Sequence, residues 1–285
     1  MKNILIPTDL STNASHAMIF GISMALDLGA SITFYHLTTT LTPTSAPLGT
    51  YEKEIAQNIA DKTQKVKESV QEMYQIFDIQ AQQIPTNYVI AEGFALADHI
   101  SNYVTNHAID LVIMGTKGET NLSSLVFGSN TSNVIAKTAC PVLAIPADYQ
   151  YKKTTKIAFA TNLENIEPEL NVFMELVKRM DASLELFYIY PTFPKSIDLQ
   201  NFDNDTFVEN LRKKYAYPKI NLHFVHTSNE NEEIEGINLF ITAYKPAMLI
   251  MHTHTRSLLD KFLNPSITED VATKIHIPLL SFKTS

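Results

Sequence analysis

The chain has 285 residues, 45% of them hydrophobic, enough for two cores of about 140 residues each and too apolar for a disordered or fibrous protein. Its 22 basic and 30 acidic residues leave a formal charge of −8, and no basic cluster offsets it, which excludes nucleic acid and anionic membranes as expected partners. The single cysteine, Cys140, has no internal disulfide partner, and no apolar run approaches the roughly twenty residues that span a bilayer, so a cytoplasmic chain is expected.

Residues 2–6 read as a buried strand ended by Pro7, and Ser11 or Asn13 is placed to cap a helix that runs to about residue 28. Ile32, Phe34 and Leu37 mark a second strand. Residues 38–50 form a connection rich in threonine and proline, long enough for a lid or rim, before a helix over residues 51–77. A third strand is predicted at residues 87–90, a helix at 94–106, a strand at 110–114, a helix at 130–137 and a last strand at 141–145. The strands are unbroken apolar runs, the pattern of a parallel sheet covered by helices on both faces. Right-handed crossovers then gather the loops after the strands along one edge, which is expected to carry Thr8, Thr38 and Gly115.

The same order restarts after a polar join at residues 148–155. Ile4-Leu-Ile-Pro-Thr-Asp-Leu10 returns as Ile157-Ala-Phe-Ala-Thr-Asn-Leu163, and Cys140-Pro-Val-Leu143 returns as Ile277-Pro-Leu-Leu280. Two tandem domains follow, residues 1–148 and 154–285, each an open five-stranded parallel α/β sheet.

Seven of the eight glycines lie in the first domain. Gly115 and Gly118 follow a buried strand, where a missing Cβ permits positive φ and lets backbone amides approach an anion; Gly128, with Ser129 and Asn130 after it, opens a helix whose free amides attract phosphate. Glycines also serve ordinary turns, and Gly128-Ser129 also suits a plain helix cap. The pattern is neither a P-loop nor the dinucleotide fingerprint, since no Gly-Lys-Ser or Gly-Lys-Thr follows and the first strand leads into Pro7-Thr-Asp9.

Taken together, Ile4-Leu-Ile-Pro-Thr-Asp-Leu-Ser11, the motif Gly-x2-Gly-x9-Gly-Ser at 115, 118, 128 and 129, and Cys140-Pro-Val-Leu-Ala-Ile-Pro146 resemble the tandem members of the universal stress protein family. The resemblance implies an adenine nucleotide alpha hydrolase-like fold with strand order 3-2-1-4-5 and ATP, with or without Mg2+, at the C-terminal strand edge. It implies that Asp9, beside Pro7 and Thr8, contacts the adenosine, that Leu37 or Thr38 approaches the adenine, and that Met114 lines the base or ribose. Gly115, Gly118, Gly128 and Ser129 would carry the phosphates, with Lys117 and Asn130 beside them. Asp9 has a competing role in an Asx-turn or helix cap, and Lys117 in a solvated loop. The domains are expected to pair through their last strands, residues 142–145 and 279–282; homodimer formation and a protein target are left open.

In the second domain His252, Thr255 and Pro265 replace the three motif glycines, Ser266 alone preserves Ser129, and Asn162 stands at the place of Asp9. Added Cβ atoms and a proline without an N–H obstruct a phosphate path, so no nucleotide is expected there. His252 and His254, with His223 and His226, form a weak metal pattern lacking cysteine or clustered carboxylates. The preferred function is ATP binding in stress response or regulation. The alternatives are a slow ATPase or phosphotransferase and a non-enzymatic scaffold using the second domain.

Overall fold

The computed structural model of the chain describes residues 1–40, 50–80, 83–116, 128–147, 149–191, 202–228, 233–253 and 276–283, without the side chains of Thr50 and Pro191. The chain divides into two compact units, with the first reaching Tyr151 and the second continuing from Lys152. In the first, β1 (Asn3–Pro7), α1 (Thr12–Leu28), β2 (Ser31–Thr38), α2 (Thr50–Ile76), β3 (Thr86–Glu92), α3 (Leu96–Asn106), β4 (Leu111–Gly115), α4 (Ser129–Lys137) and β5 (Val142–Ile145) alternate along the chain. The strands are parallel in the order β3-β2-β1-β4-β5.

The second unit repeats this with β6 (Lys156–Ala160), α5 (Ile166–Arg179), β7 (Ser183–Pro191), α6 (Asn204–Tyr215), β8 (Ile220–Thr227), α7 (Glu233–Tyr244), β9 (Met248–His252) and β10 (Leu279–Phe282). Its parallel strands run β8-β7-β6-β9-β10, the same order counted within the unit. The repeat extends to register: Ile4 lies opposite Leu111 as Ile157 lies opposite Met248.

Burial explains the apolar runs. Ile4, Leu5 and Ile6 of β1 and Leu111, Val112 and Ile113 of β4 are all fully buried, which requires cover on both faces. Helix α1 supplies part of it through Ala17, Met18 and Phe20, the burial of a side chain the size of Met18 or Phe20 contributing about 1.5–3 kcal/mol. Its start is set by Ser11, whose hydroxyl accepts from Ala14 N at 3.2 Å, and its end by Gly29 in the left-handed region at φ 57°. In the second unit, Phe159, Phe173 and Phe282 meet edge to face or tilted at 4.9–6.0 Å, and Phe187 stacks on Phe240 at 4.1 Å.

One local expectation changes. Helix α3 begins at Leu96 and not at residue 94, because Ala95 takes a left-handed conformation at φ 52° and leaves Phe94 in the preceding loop. The lid or rim expected over residues 38–50 falls largely on 41–49, outside the described residues.

Candidate functional site

At the C-terminal edge of the first unit, the ends of β1, β2 and β4 and the start of α4 enclose a cavity of about 470 Å³, a size typical of small-ligand sites. Pro7, Thr8 and Asp9 line it from the β1–α1 turn. That turn is held by its own hydrogen bonds: Thr8 Oγ1 accepts from Leu10 N at 3.1 Å, Asp9 Oδ1 from Ser11 N at 2.9 Å, and Leu10 sits at φ 65°. Asp9 thus closes an Asx-turn while its carboxylate borders the cavity. Beneath it, buried His36 on β2 donates from Nδ1 to Thr8 O at 2.7 Å, fixing the turn against the sheet. The sequence assigns no role to His36, whose partner is a backbone carbonyl 28 residues away.

Leu37 reaches the cavity from β2, whereas Thr38 does not line it: Thr38 is buried and its hydroxyl accepts from Asn58 Nδ2 at 3.0 Å, and Thr39 lies at the wall instead. Alternation along the strand accounts for this, since Leu37 and Thr39 share a face that Thr38 does not. Met114 and Gly115 close the β4 side. Gly115 is not in the positive-φ region, which among the described glycines is occupied by Gly29 and Gly93. A Cβ at 115 would instead lie 2.8 Å from Asn13 O in the first turn of α1, so glycine is required there for the strand end to pass the helix.

Gly128, Ser129 and Asn130 complete the wall. Gly128 is the N-cap of α4 in an extended conformation and contributes no side-chain cap, so the helix points uncapped amides and a positive dipole end toward the cavity. Thr131 Oγ1 donates to Gly115 O at 2.9 Å and ties that helix to the end of β4. An anion is the species this end of the cavity favours. Lys117 and Gly118 lie outside the described residues. Ser11, Asn13, Phe94, Thr116 and Thr131 are wall residues as well; the sequence offered Ser11 and Asn13 as helix-cap candidates.

At the corresponding edge of the second unit, the turn persists without the charge. Thr161 Oγ1 accepts from Leu163 N at 3.0 Å, Asn162 Oδ1 from Glu164 N at 3.0 Å, and Leu163 sits at φ 65°. The change from Asp9 to Asn162 therefore preserves the turn and removes the carboxylate. His252, at the position of Gly115, packs on Phe282 with ring centroids 5.0 Å apart, and its Nδ1 lies 3.2 Å from Glu169 Oε1. Burial pushes the Glu169 carboxyl up to about 7, and its Oε2 is buried with no hydrogen-bond partner. His254, Thr255, Pro265 and Ser266 lie outside the described residues.

His223, another histidine of the metal pattern, faces Glu185 Oε2 at 2.7 Å. No group of three metal-ligating side chains occurs among the described residues. Burial also pushes the Cys140 thiol up to about 12, the opposite of what a nucleophile needs. Among the described residues no helix is long and apolar enough to cross a membrane.

Comparison with known proteins matches residues 1–146 to the model of the universal stress protein family. A universal stress protein of Methanocaldococcus jannaschii is 26% identical over 144 residues, covering 50% of this chain and 81% of that protein. The universal stress protein E homolog of Haemophilus influenzae is 26% identical over 211 residues, 66% of this chain and 67% of its own. The crystal structure of a universal stress protein from Archaeoglobus fulgidus superposes with a TM-score of 0.71 at 14% identity, covering 99% of this chain and 98% of that one, a likeness of fold. With that fold, a repeated strand order and a family match spanning the first copy, the chain belongs to the universal stress protein family as a tandem-domain member.

Proposed function

We propose that the protein binds ATP in its first unit and acts through that binding in regulation or stress response. The observation that supports this best is the cavity itself, which joins an acidic turn at Asp9, an apolar wall at Leu37 and Met114, and the uncapped N-terminus of α4. In this reading Asp9 contacts the ribose or base, Met114 lies against the base or ribose, and the amides of α4 with the Ser129 hydroxyl hold phosphate oxygens. Gly118 and Lys117 belong to it through the motif alone. A net charge of −8 disfavours a bare polyphosphate, so Mg2+ bound to the phosphates is expected to strengthen the complex. A cytoplasmic location and an unnamed protein target complete the proposal.

Equilibrium titration of the full chain with ATP and Mg2+ tests it. Saturable binding that Asp9→Ala and Ser129→Ala each weaken about tenfold or more is the expected result. Binding unchanged by both substitutions, or no saturable binding, overturns it. Among the described wall residues, Asp9 is the sole carboxylate, and its Oδ1 already accepts from Ser11 N. Nucleotide occupancy read by a partner is therefore favoured over hydrolysis.

A further inference from the structure

Phe94 is 74% exposed and yet lines the cavity, a combination shared by no other large exposed hydrophobic side chain of the chain's described residues. Its backbone, by contrast, is pinned on both sides. Gly93 N donates to Thr38 O at 2.9 Å and Gly93 O accepts from Thr39 Oγ1 at 2.7 Å, which fastens the loop to the end of β2. Gly93 also lies so close to His99 that a Cβ would meet Nε2 at 2.4 Å, and His99 Nδ1 is 3.3 Å from the buried Tyr35 hydroxyl. On the other side Ala95 holds φ 52°, a conformation unfavourable for alanine, while its carbonyl accepts from Asp98 N at 3.0 Å. The loop is rigid where a solvent-exposed ring alone would give no reason for rigidity.

Position within the sheet says what the ring can meet. Phe94 follows β3, and the uncapped helix start follows β4, three strand spacings away in the order β3-β2-β1-β4. At about 4.8 Å per spacing, that is about 14 Å, the span of a nucleotide from its base to its terminal phosphates. With the anion end at α4, the ring stands toward the opposite end, on the loop that Gly93 ties to the end of β2. We infer that Phe94 is a preformed platform on which the aromatic base of the bound nucleotide stacks, so that the site selects nucleotides over base-free polyphosphates. This deepens the reading of the same site as an ATP site and rests on it. Stacking removes two apolar faces from water and leaves the base edges free, so purines of either type are accommodated.

The sequence contains no tryptophan, which makes Phe94→Trp a direct reporter: the introduced indole would be the sole one in the full-length chain. Titrated with ATP and Mg2+, its emission is expected to be strongly quenched at saturation, and tripolyphosphate with Mg2+ is expected to leave it unchanged. Phe94→Ala is expected to weaken ATP about tenfold while leaving tripolyphosphate affinity as in the wild type. The exposed side chain makes both variants compatible with the fold, which unchanged thermal melting would verify. If ATP binds the wild type and Phe94→Ala equally well, or binds Phe94→Trp without altering emission, the platform is wrong while the ATP reading survives. If ATP does not bind the wild type, both fall.

Discussion

A buried and a part-buried glutamate of the second unit, Glu185 and Glu169, show how environment sets opposite responses to pH. Glu185 on β7 is 5% exposed. Burial pushes its carboxyl up, but hydrogen bonds from His223 Nε2, the Ser183 hydroxyl and Asn221 Nδ2, together with the attraction of His223, outweigh burial and hold it down to about 2. A depressed folded value contributes stability above the unfolded value of 4.5 that is lost as pH falls toward 2. Burial raises the Glu169 carboxyl to about 7 even with His252 Nδ1 at 3.2 Å, so its contribution is complete below 4.5 and is lost as pH rises through 7. Urea denaturation across pH should therefore separate two variants. Glu185→Gln is expected to be less stable than wild type by about 3 kcal/mol at pH 6, with the gap closing between pH 4.5 and 2. Glu169→Gln should match wild type near pH 4 and exceed it by about 1–3 kcal/mol at pH 8. Parallel pH profiles for the two would contradict this assignment.

At the scale of elements, Gly115 joins β4 to the first turn of α1, and that junction forms one wall of the cavity. Gly115→Ala forces the added carbon against Asn13 O, a backbone atom that cannot swing aside, and should cost about 1–3 kcal/mol as strand and helix part. Gly128→Ala is the contrast: φ −68° and ψ 157° suit any residue, so about 1 kcal/mol or less is expected, from the weaker N-cap. Thermal unfolding that ranks them the other way would refute the close-approach account. The comparison also marks what the sequence carried and what it did not. Strand existence and a parallel sheet covered on both faces followed from unbroken apolar runs such as residues 4–6 and 111–113, whereas the strand order came from the family resemblance and the register from the structure. The purpose of Gly115 did not follow, because its neighbour Asn13 is about a hundred residues away and only the closed sheet brings them together. Glu185 and His223 were equally hidden, being joined by the pairing of β7 with β8. Phe94 was readable as a loop residue from the preceding Gly93, but the helical pattern after it drew the predicted start of α3 two residues early.

For the whole molecule, the two units keep one skeleton and diverge at the edge where a ligand would sit. The β1–α1 turn and the β6–α5 turn share their hydrogen bonds and their left-handed leucine, so the backbone of the second unit still offers the same shelf. What differs is what stands on it. The His252 side chain extends from the strand end where Gly115 has none, packs against Phe282 and approaches Glu169. A polyphosphate arriving there would have to displace the imidazole, and above pH 7 it would also meet an ionised Glu169. The full chain should accordingly bind a single ATP, and Gly115→Ala should abolish saturable binding at concentrations that fill the wild-type site. His252→Gly should not create a second site, because Asn162 and Glu169 remain. Calorimetric titration that returns two ATP per chain would show that the second unit has kept a nucleotide site despite these side chains, and a Gly115→Ala protein that retains one full equivalent would overturn the role given to Gly115.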